Sequence, residues 1–356
     1  MSKIRIGIIG TGGMGTQHAL SFKRQEGVEL TSCFDVVPGK AEEFAKKYEV
    51  ASAAGSIADL LRQVDAVSVV TPDRFHMEPS IAALEAGKHL LCEKPLTVTL
   101  DEARRVAAAA KKAAARGAIH MVNFTYRRSA AFQEAIQLVQ EGKLGNLRQV
   151  QSFYLQSVLV SATWGHWTSP GMLWRLETAA GSGGVLGDIG CHILDLTTAI
   201  AGPVKQVRSA LATFPKVAPD GREVTEWEGH TLDANDLAFV ELRFANGALG
   251  ITQASRWAVG HTNHLRFEAA GTKGALRFEL EDYPGTYDEI ELFEDKKWHR
   301  RCLVPTLGVF DRFINAIKNG KQDQPDIFRG AEIQAILDAA ERSAKTGEWE
   351  DVPTWM

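Results

Sequence analysis

The sequence predicts an α/β protein in two parts, a doubly wound parallel sheet followed by an α/β part built on a large, mainly antiparallel open sheet. Three observations carry this. Over the first 125 residues short β-branched runs alternate with helix-length amphipathic stretches, the rhythm of parallel strands joined by crossover helices. A glycine-rich turn, Gly10-Thr11-Gly12-Gly13-Met14-Gly15, separates the first strand-like run from the first helix-like one. From Arg148 onward strand-like runs dominate, and His264, Arg266 and Glu268 alternate with Leu265, Phe267 and Ala269, the period of a half-buried strand.

In chain order, strands are expected at 4–9, 29–35, 66–70, 89–92 and 119–122, with helices at about 14–24, 39–48, 56–62, 79–86 and 100–116 between them. The last helix keeps Ala103, Val106, Ala107 and Ala110 on one face. A linking helix over about 130–141 ends in a turn at 142–146, and the division is set at 125, giving one part over 1–125 and a second over 126–356. In the second part a helix is expected over about 189–201. Asn246-Gly247 between the runs 236–244 and 248–257 signals a hairpin. A further turn follows at 271–274, and helices over about 307–318 and 329–346 end the chain.

Composition bounds the function. At roughly 150 residues per domain, 356 residues suggest two domains, each able to bury a core. A 45% hydrophobic share excludes disorder, and 40 basic against 44 acidic residues leave a net charge of -4, too little basic excess for nucleic acid or an anionic membrane. Cys33, Cys92, Cys191 and Cys302 lie far apart with no C-x-x-C pair, which indicates neither a disulfide framework nor a zinc site, and no metal is expected. Met1-Ser2-Lys3 leads straight into the first strand without an apolar signal core, and no run approaches the ~20 apolar residues that cross a bilayer, so a cytoplasmic location is expected.

The glycine turn has a steric logic. Gly10 allows the tight turn, Gly12 lets a pyrophosphate approach the backbone, Gly15 lets helix and strand pack, and the helix N-terminus offers amides to phosphate. Asp35 ends the next strand 20 residues after Gly15, where a carboxylate can accept from a ribose diol. Its charge favours NAD over NADP, although nearby Lys40 leaves NADP open. Two further strands run into polar clusters, Thr71-Pro72 with His76 and Glu93-Lys94-Pro95, at the carboxyl ends where such sheets bind ligands. Glu93 and Lys94 read equally well as a surface ion pair. In the second part, Gly183-Gly184 leads to Asp188 and His192. With a helix starting at residue 189, Asp188 would cap it, and His192, one turn in, would stay neutral beside the positive dipole end and serve as a base. Capping and packing alone explain both residues equally well.

Together, Gly10-x-Gly12-x-x-Gly15, Thr71-Pro72 with His76, Glu93-Lys94-Pro95 and Gly184-x-x-x-Asp188-x-Gly190-x-His192 resemble the Gfo/Idh/MocA family of glucose–fructose oxidoreductase and inositol dehydrogenase. The resemblance implies an N-terminal Rossmann domain, a C-terminal α/β domain with an open sheet, and a homodimer or homotetramer. It implies an NAD(P)-dependent dehydrogenase in which Lys94 lowers the pKa of a substrate hydroxyl, Asp188 orients the substrate and His192 takes the proton. Gly10, Thr11, Gly12, Gly13, Met14, Gly15, Asp35, Thr71, Pro72, His76, Glu93 and Lys94 are then expected to line the cofactor. Asp73 stands where Asn is common, and no role is carried over to it. Tyr126, Arg127, Trp174 and Arg175 are similar to residues of relatives that bind pyranosides or anhydrosugars, so a small carbohydrate or cyclitol is the expected partner. Trp164, His166 and Trp167 offer aromatic faces for a sugar, or core and subunit contacts. A nicotinamide-binding redox sensor without turnover, and a sugar–sugar oxidoreductase with a tightly held cofactor, remain alternatives.

Overall fold

Six parallel strands build the first unit: β1 (Ile4–Ile9), β2 (Val28–Phe34), β3 (Ser52–Ala53), β4 (Ala66–Val69), β5 (His89–Cys92) and β6 (His120–Val122). Their order in the sheet is β3-β2-β1-β4-β5-β6. The computed structural model describes residues 3–161, 165–281 and 288–356. β4 is buried along its whole length, as a strand covered by helices on both faces must be, which is why it reads as an unbroken apolar run. β3 has two residues and leaves no periodic signal in the sequence. The order reverses between β1 and β4, and the crevice of a doubly wound sheet opens at such a reversal. Five helices, α1 (Gly13–Lys23), α2 (Lys40–Tyr48), α3 (Ile57–Gln63), α4 (Met77–Glu85) and α5 (Leu100–Ala114), make the crossovers. Ser56 caps α3, and Thr99 with Glu102 forms a capping box on α5.

The chain returns to this unit near its end. Leu307–Gln334 clusters with the first 125 residues, although everything beyond 125 was expected in the second part. The cause is apolar: Val309, Phe313 and Ile314 join Ile8, Phe22 and Phe44 in one core, and Phe310 meets Phe22 edge to face at 5.1 Å.

The second unit, Tyr126–Thr306 with Ala335–Thr354, holds a nine-stranded sheet. Across the sheet the strands run Lys297–Cys302, Glu289–Glu294, Ala275–Glu281, His264–Gly271, Leu147–Leu155, Leu249–Ser255, Leu237–Phe244, Val204–Ala212 and Glu350–Asp351. Pairing is antiparallel except between Leu147–Leu155 and Leu249–Ser255. The hairpin at Asn246-Gly247 is present, with Gly247 at φ 85°. Helix Cys191–Ala201 packs against the central strands and is buried almost throughout. Among the described residues no helix is long and apolar enough to cross a membrane.

Candidate active site

In the first unit the glycine turn has the shape its composition implied. Gly10 sits at φ 99°, and a Cβ there would meet the Val70 carbonyl oxygen at 2.6 Å. A Cβ on Gly15 would strike the Gly10 carbonyl, so helix and strand close up only over glycine. Gly12 and Gly13 face open space, Met14 is exposed, and no side chain caps α1. The first amides of the helix are thus left to a ligand. A dinucleotide pyrophosphate fits this cradle in shape and charge.

Asp35 accepts from the Thr11 N–H at 2.9 Å, the Thr11 hydroxyl at 2.7 Å and the Val37 N–H at 3.0 Å. Burial works against its charge, but these hydrogen bonds and the charge of Lys40 outweigh it and hold the carboxyl below its ordinary pKa. A carboxylate has about four lone-pair positions, so capacity remains for a ribose diol. The buried Thr71 hydroxyl has no hydrogen-bond partner among the described residues, which also suits a bound ligand, and Pro72 beside it is exposed.

Two residues expected to line the cofactor have other tasks. His76 is wholly buried, with Nδ1 2.8 Å from the Pro95 carbonyl and Nε2 2.8 Å from the Thr71 carbonyl. It ties together the loops after β4 and β5. Only the doubly protonated ring donates to both oxygens. Burial opposes that charge, but the Cys92 sulfur, Asp73 and the Pro95 carbonyl outweigh it and raise the pKa to about 10. Glu93 likewise turns inward, to His18 Nε2 at 2.7 Å and the Asn123 amide at 2.6 Å. His18 in turn reaches the Ser68 hydroxyl at 2.6 Å. Burial opposes ionisation of Glu93, yet His18, Lys94 and Asn123 bring its pKa down to about 2. The surface ion pair is therefore excluded for Glu93, which is 6% exposed. Lys94, next in the chain, is half-buried.

In the second unit the helix that carries His192 begins earlier than expected. Gly184, at φ 62°, leaves room for the Asn235 side chain, whose Oδ1 accepts the Leu186 N–H at 3.0 Å. A π-helical turn, Leu186–Gly190, then runs directly into Cys191–Ala201. Asp188 consequently lies within the helical run and caps nothing. His192 stands about two turns in, beyond the first turn to which the dipole effect is confined. Asp188 is instead clamped: Arg175 Nη1 donates to Oδ1 at 3.1 Å and Arg256 Nη2 to Oδ2 at 2.9 Å. The Arg175 guanidinium also lies over the half-buried Trp174 ring, 4.7 Å from its centroid.

The His192 ring meets Tyr126 edge to face at 5.1 Å, with Tyr154 at 6.3 Å. The Tyr126 and Tyr154 hydroxyls are 2.6 Å apart, and Tyr154 also donates to Asn263 Oδ1 at 2.6 Å. Gln156 completes this buried polar cluster. Arg127, expected to bind substrate, forks onto Asp195 instead, at 2.8 and 2.6 Å, and both partners are buried. Two of its five N–H donors are committed to that pair. Trp167 belongs to the core: it is 1% exposed, packs on Trp227 and donates to the Val217 carbonyl. His166 bonds Thr168. Trp164 lies outside the described residues. Arg256, Tyr154 and Asn263 carried no local motif, and their parts follow from where the strands Leu249–Ser255, Leu147–Leu155 and His264–Gly271 place them, whereas Asp195 lies three residues after His192 on the helix Cys191–Ala201.

Amides open to phosphate and a carboxylate with capacity left for ribose place the first unit among dinucleotide-binding domains. The chain belongs to the Gfo/Idh/MocA family: residues 4–124 match the model described as oxidoreductase family, NAD-binding Rossmann fold, and residues 132–277 match the GFO/IDH/MocA C-terminal domain. It is 29% identical to levoglucosan dehydrogenase of Pseudarthrobacter phenanthrenivorans, over 99% of both chains. It is 30% identical to myo-inositol 2-dehydrogenase of Thermotoga maritima, over 94% of this chain and 93% of the relative. A solved levoglucosan dehydrogenase in complex with NADH and levoglucosan superposes with a TM-score of 0.84 at 27% identity, covering 99% of this chain and all of that one.

Proposed function

We propose that this protein is an NAD-dependent dehydrogenase that moves hydride reversibly between nicotinamide and a secondary alcohol of a sugar, glycoside, anhydrosugar or cyclitol. The observation that carries the reading is Asp188, clamped by two arginines on the same helical run as His192, in a chain whose first unit presents an open phosphate cradle. The relatives act on levoglucosan and myo-inositol, both ring polyols, which supports a neutral ring substrate.

Bound NAD supplies the hydride acceptor. Gly10 to Gly15 hold its pyrophosphate, Asp35 its adenosine ribose, and Thr71 its remaining polar edge. His192 takes the hydroxyl proton at a ring nitrogen. Lys94 makes the hydroxyl easier to ionise by placing positive charge beside it. Asp188 orients the substrate and is itself held still by Arg175 and Arg256. Tyr126 braces the His192 ring, and the half-buried Trp174 ring receives the apolar side of the sugar. Arg127 acts through Asp195 and does not touch substrate.

A panel of inositols, aldoses, glycosides and anhydrosugars, followed by NADH formation, tests this. Turnover should appear with at least one ring polyol and fall by about 10²–10⁴-fold in His192→Ala and in Lys94→Met. NAD binding without turnover on any member would instead make the protein a redox sensor, and cofactor surviving gel filtration would point to sugar–sugar exchange. We assign the cytoplasm from four cysteines that form no disulfide. We assign a homodimer or homotetramer from the apolar stripe that Phe239, Leu249 and Ile251 expose on adjoining strands, and light scattering reads the mass.

A further inference from the structure

The absence of a cysteine cage leaves imidazole and carboxylate ligands to consider, and one group of them converges away from Asp188 and His192 in the sequence. We propose that His261, His264 and Glu281 form a binding site for one divalent transition cation of the zinc type.

The backbone brings them together. His264 opens the strand His264–Gly271, and the antiparallel register sets Glu281, the last residue of Ala275–Glu281, directly opposite it. Facing residues of an antiparallel pair hold their Cβ atoms about 5 Å apart. His261 arrives from the preceding turn, three positions earlier, after Gly260 at φ 91°. One potential ligand atom from each of the three lies within 4.8 Å of the others.

The distances are close to those an ion requires. His261 Nδ1 and His264 Nδ1 face each other at 3.0 Å, with the rings stacked at 5.1 Å. Two ligand atoms, each about 2.0–2.1 Å from a tetrahedral zinc, stand roughly 3.3 Å apart. Rotation of the half-buried Glu281 side chain closes the third position, and water takes the fourth. The outer shell is also at hand. The buried His264 Nε2 makes no hydrogen bond among the described residues and lies 3.3 Å from the Glu279 carboxylate, so a small turn of Glu279 completes the carboxylate–histidine–metal arrangement that fixes the tautomer and strengthens a ligating imidazole. Glu279 and Glu281 supply negative charge, and Arg266 stands 3.7 Å from Glu279. Imidazole with carboxylate suits zinc, cobalt or nickel better than calcium or magnesium.

An ion here would pin the turn that carries Asn263, whose side chain bonds Tyr126, Tyr154 and Gln156. The site is thus a staple beneath the tyrosine cluster, and it takes no part in the hydride transfer.

The test uses the full, tag-free chain, stripped with chelator and titrated with cobalt(II) and with zinc(II) alone. One cobalt per chain is expected, with the visible absorption of a four-coordinate ion, displaced by equimolar zinc, and zinc should raise the melting temperature. His261→Ala and Glu281→Gln, at half-buried positions that leave the strands intact, should each weaken cobalt binding by about 100-fold, and Glu279→Gln by about tenfold. Sub-stoichiometric cobalt, octahedral spectra, or affinity unchanged by both ligand variants would overturn the site and leave the two imidazoles as a simple hydrogen-bonded pair. A variant that fails to melt cooperatively is replaced by the other, whose affinity then decides.

Discussion

Arg256 reaches Asp188 at 2.9 Å from a position that is 2% exposed, and the same guanidinium donates to the Arg175 carbonyl at 3.0 Å and the Gly184 carbonyl at 3.2 Å. Through one side chain the carboxylate is referred to both the segment that carries its other clamp and the start of its own helical run. Arg175 also touches Asp188, but it is partly exposed and can move. Arg256 cannot.

Substitution of Arg256 by Met should therefore affect rate more than binding. Two carbonyls and one carboxylate oxygen lose a donor, which costs about 1–3 kcal/mol for each group left buried without water. A misplaced Asp188 should lower kcat by about 10²-fold, the usual result of an ångström of displacement. Steady-state kinetics and urea midpoints separate the two effects. Unchanged kcat in a folded variant would remove Arg256 from the machinery.

Arg127 invites the opposite prediction. Its fork onto Asp195 is buried on both sides, so Arg127→Ala strands a carboxylate and should cost about 3–5 kcal/mol of stability. KM for the sugar, measured well below the melting temperature, should stay within about twofold, because the buried fork orients the guanidinium toward Asp195. A large rise in KM with little loss of stability would restore the substrate contact.

The strand-and-helix alternation, the glycine turn and the hairpin were legible because each rests on local rules: period, steric room and turn chemistry. Asp35 was legible for the same reason, as a strand end at a fixed spacing from Gly15. What was not legible depends on register and on how side chains turn. Nothing local in Glu93-Lys94 shows that the glutamate points inward to His18, 75 residues earlier in the chain. Nothing in Arg256 shows that it meets Asp188, 68 residues away. The start of the His192 helix was misplaced because Gly183 and Gly184 read as a loop, whereas Gly184 admits Asn235 as the partner that caps the first turn.

Asp35 sets a cofactor prediction with a defined pH range. Its carboxyl is held below the ordinary value, so its charge, and the stability drawn from its hydrogen bonds, is present above the unfolded pKa near 4 and is lost as pH falls through the lower folded value. From pH 9 down to pH 5 Asp35 therefore stays charged, and the preference for NAD over NADP should relax only as the 2'-phosphate takes up its second proton, near about pH 6. Asp35→Ser should shift the ratio of kcat/KM values toward NADP by about tenfold or more, since a 2'-phosphate no longer meets a carboxylate. NADP preferred by the unaltered protein would sink the assignment.

His76 titrates in the other direction. Burial opposes the charged ring, but Cys92, Asp73 and the Pro95 carbonyl outweigh it, so the folded protein binds the second proton more tightly than the unfolded chain, with a pKa of about 10 against an ordinary 6.5. The stabilisation is complete below pH 6.5 and is lost as pH rises toward 10. Cys92 and Asp73 face the same ring and favour its charge, and other thiols and lysines titrate at the alkaline end. The informative quantity is therefore the difference between the protein and His76→Gln, whose amide can donate to one carbonyl only. Each charge-assisted hydrogen bond contributes about 1.5–3 kcal/mol, so the variant should be less stable by about 3 kcal/mol at pH 6, with the gap closing by pH 10. Because the ring ties the Thr71 and Pro95 loops, NADH affinity, read by fluorescence, should weaken by about tenfold in the variant at pH 7 and converge with that of the unaltered protein as pH rises. A gap independent of pH would mean that His76 is neutral and that one of its two carbonyl contacts is not a hydrogen bond.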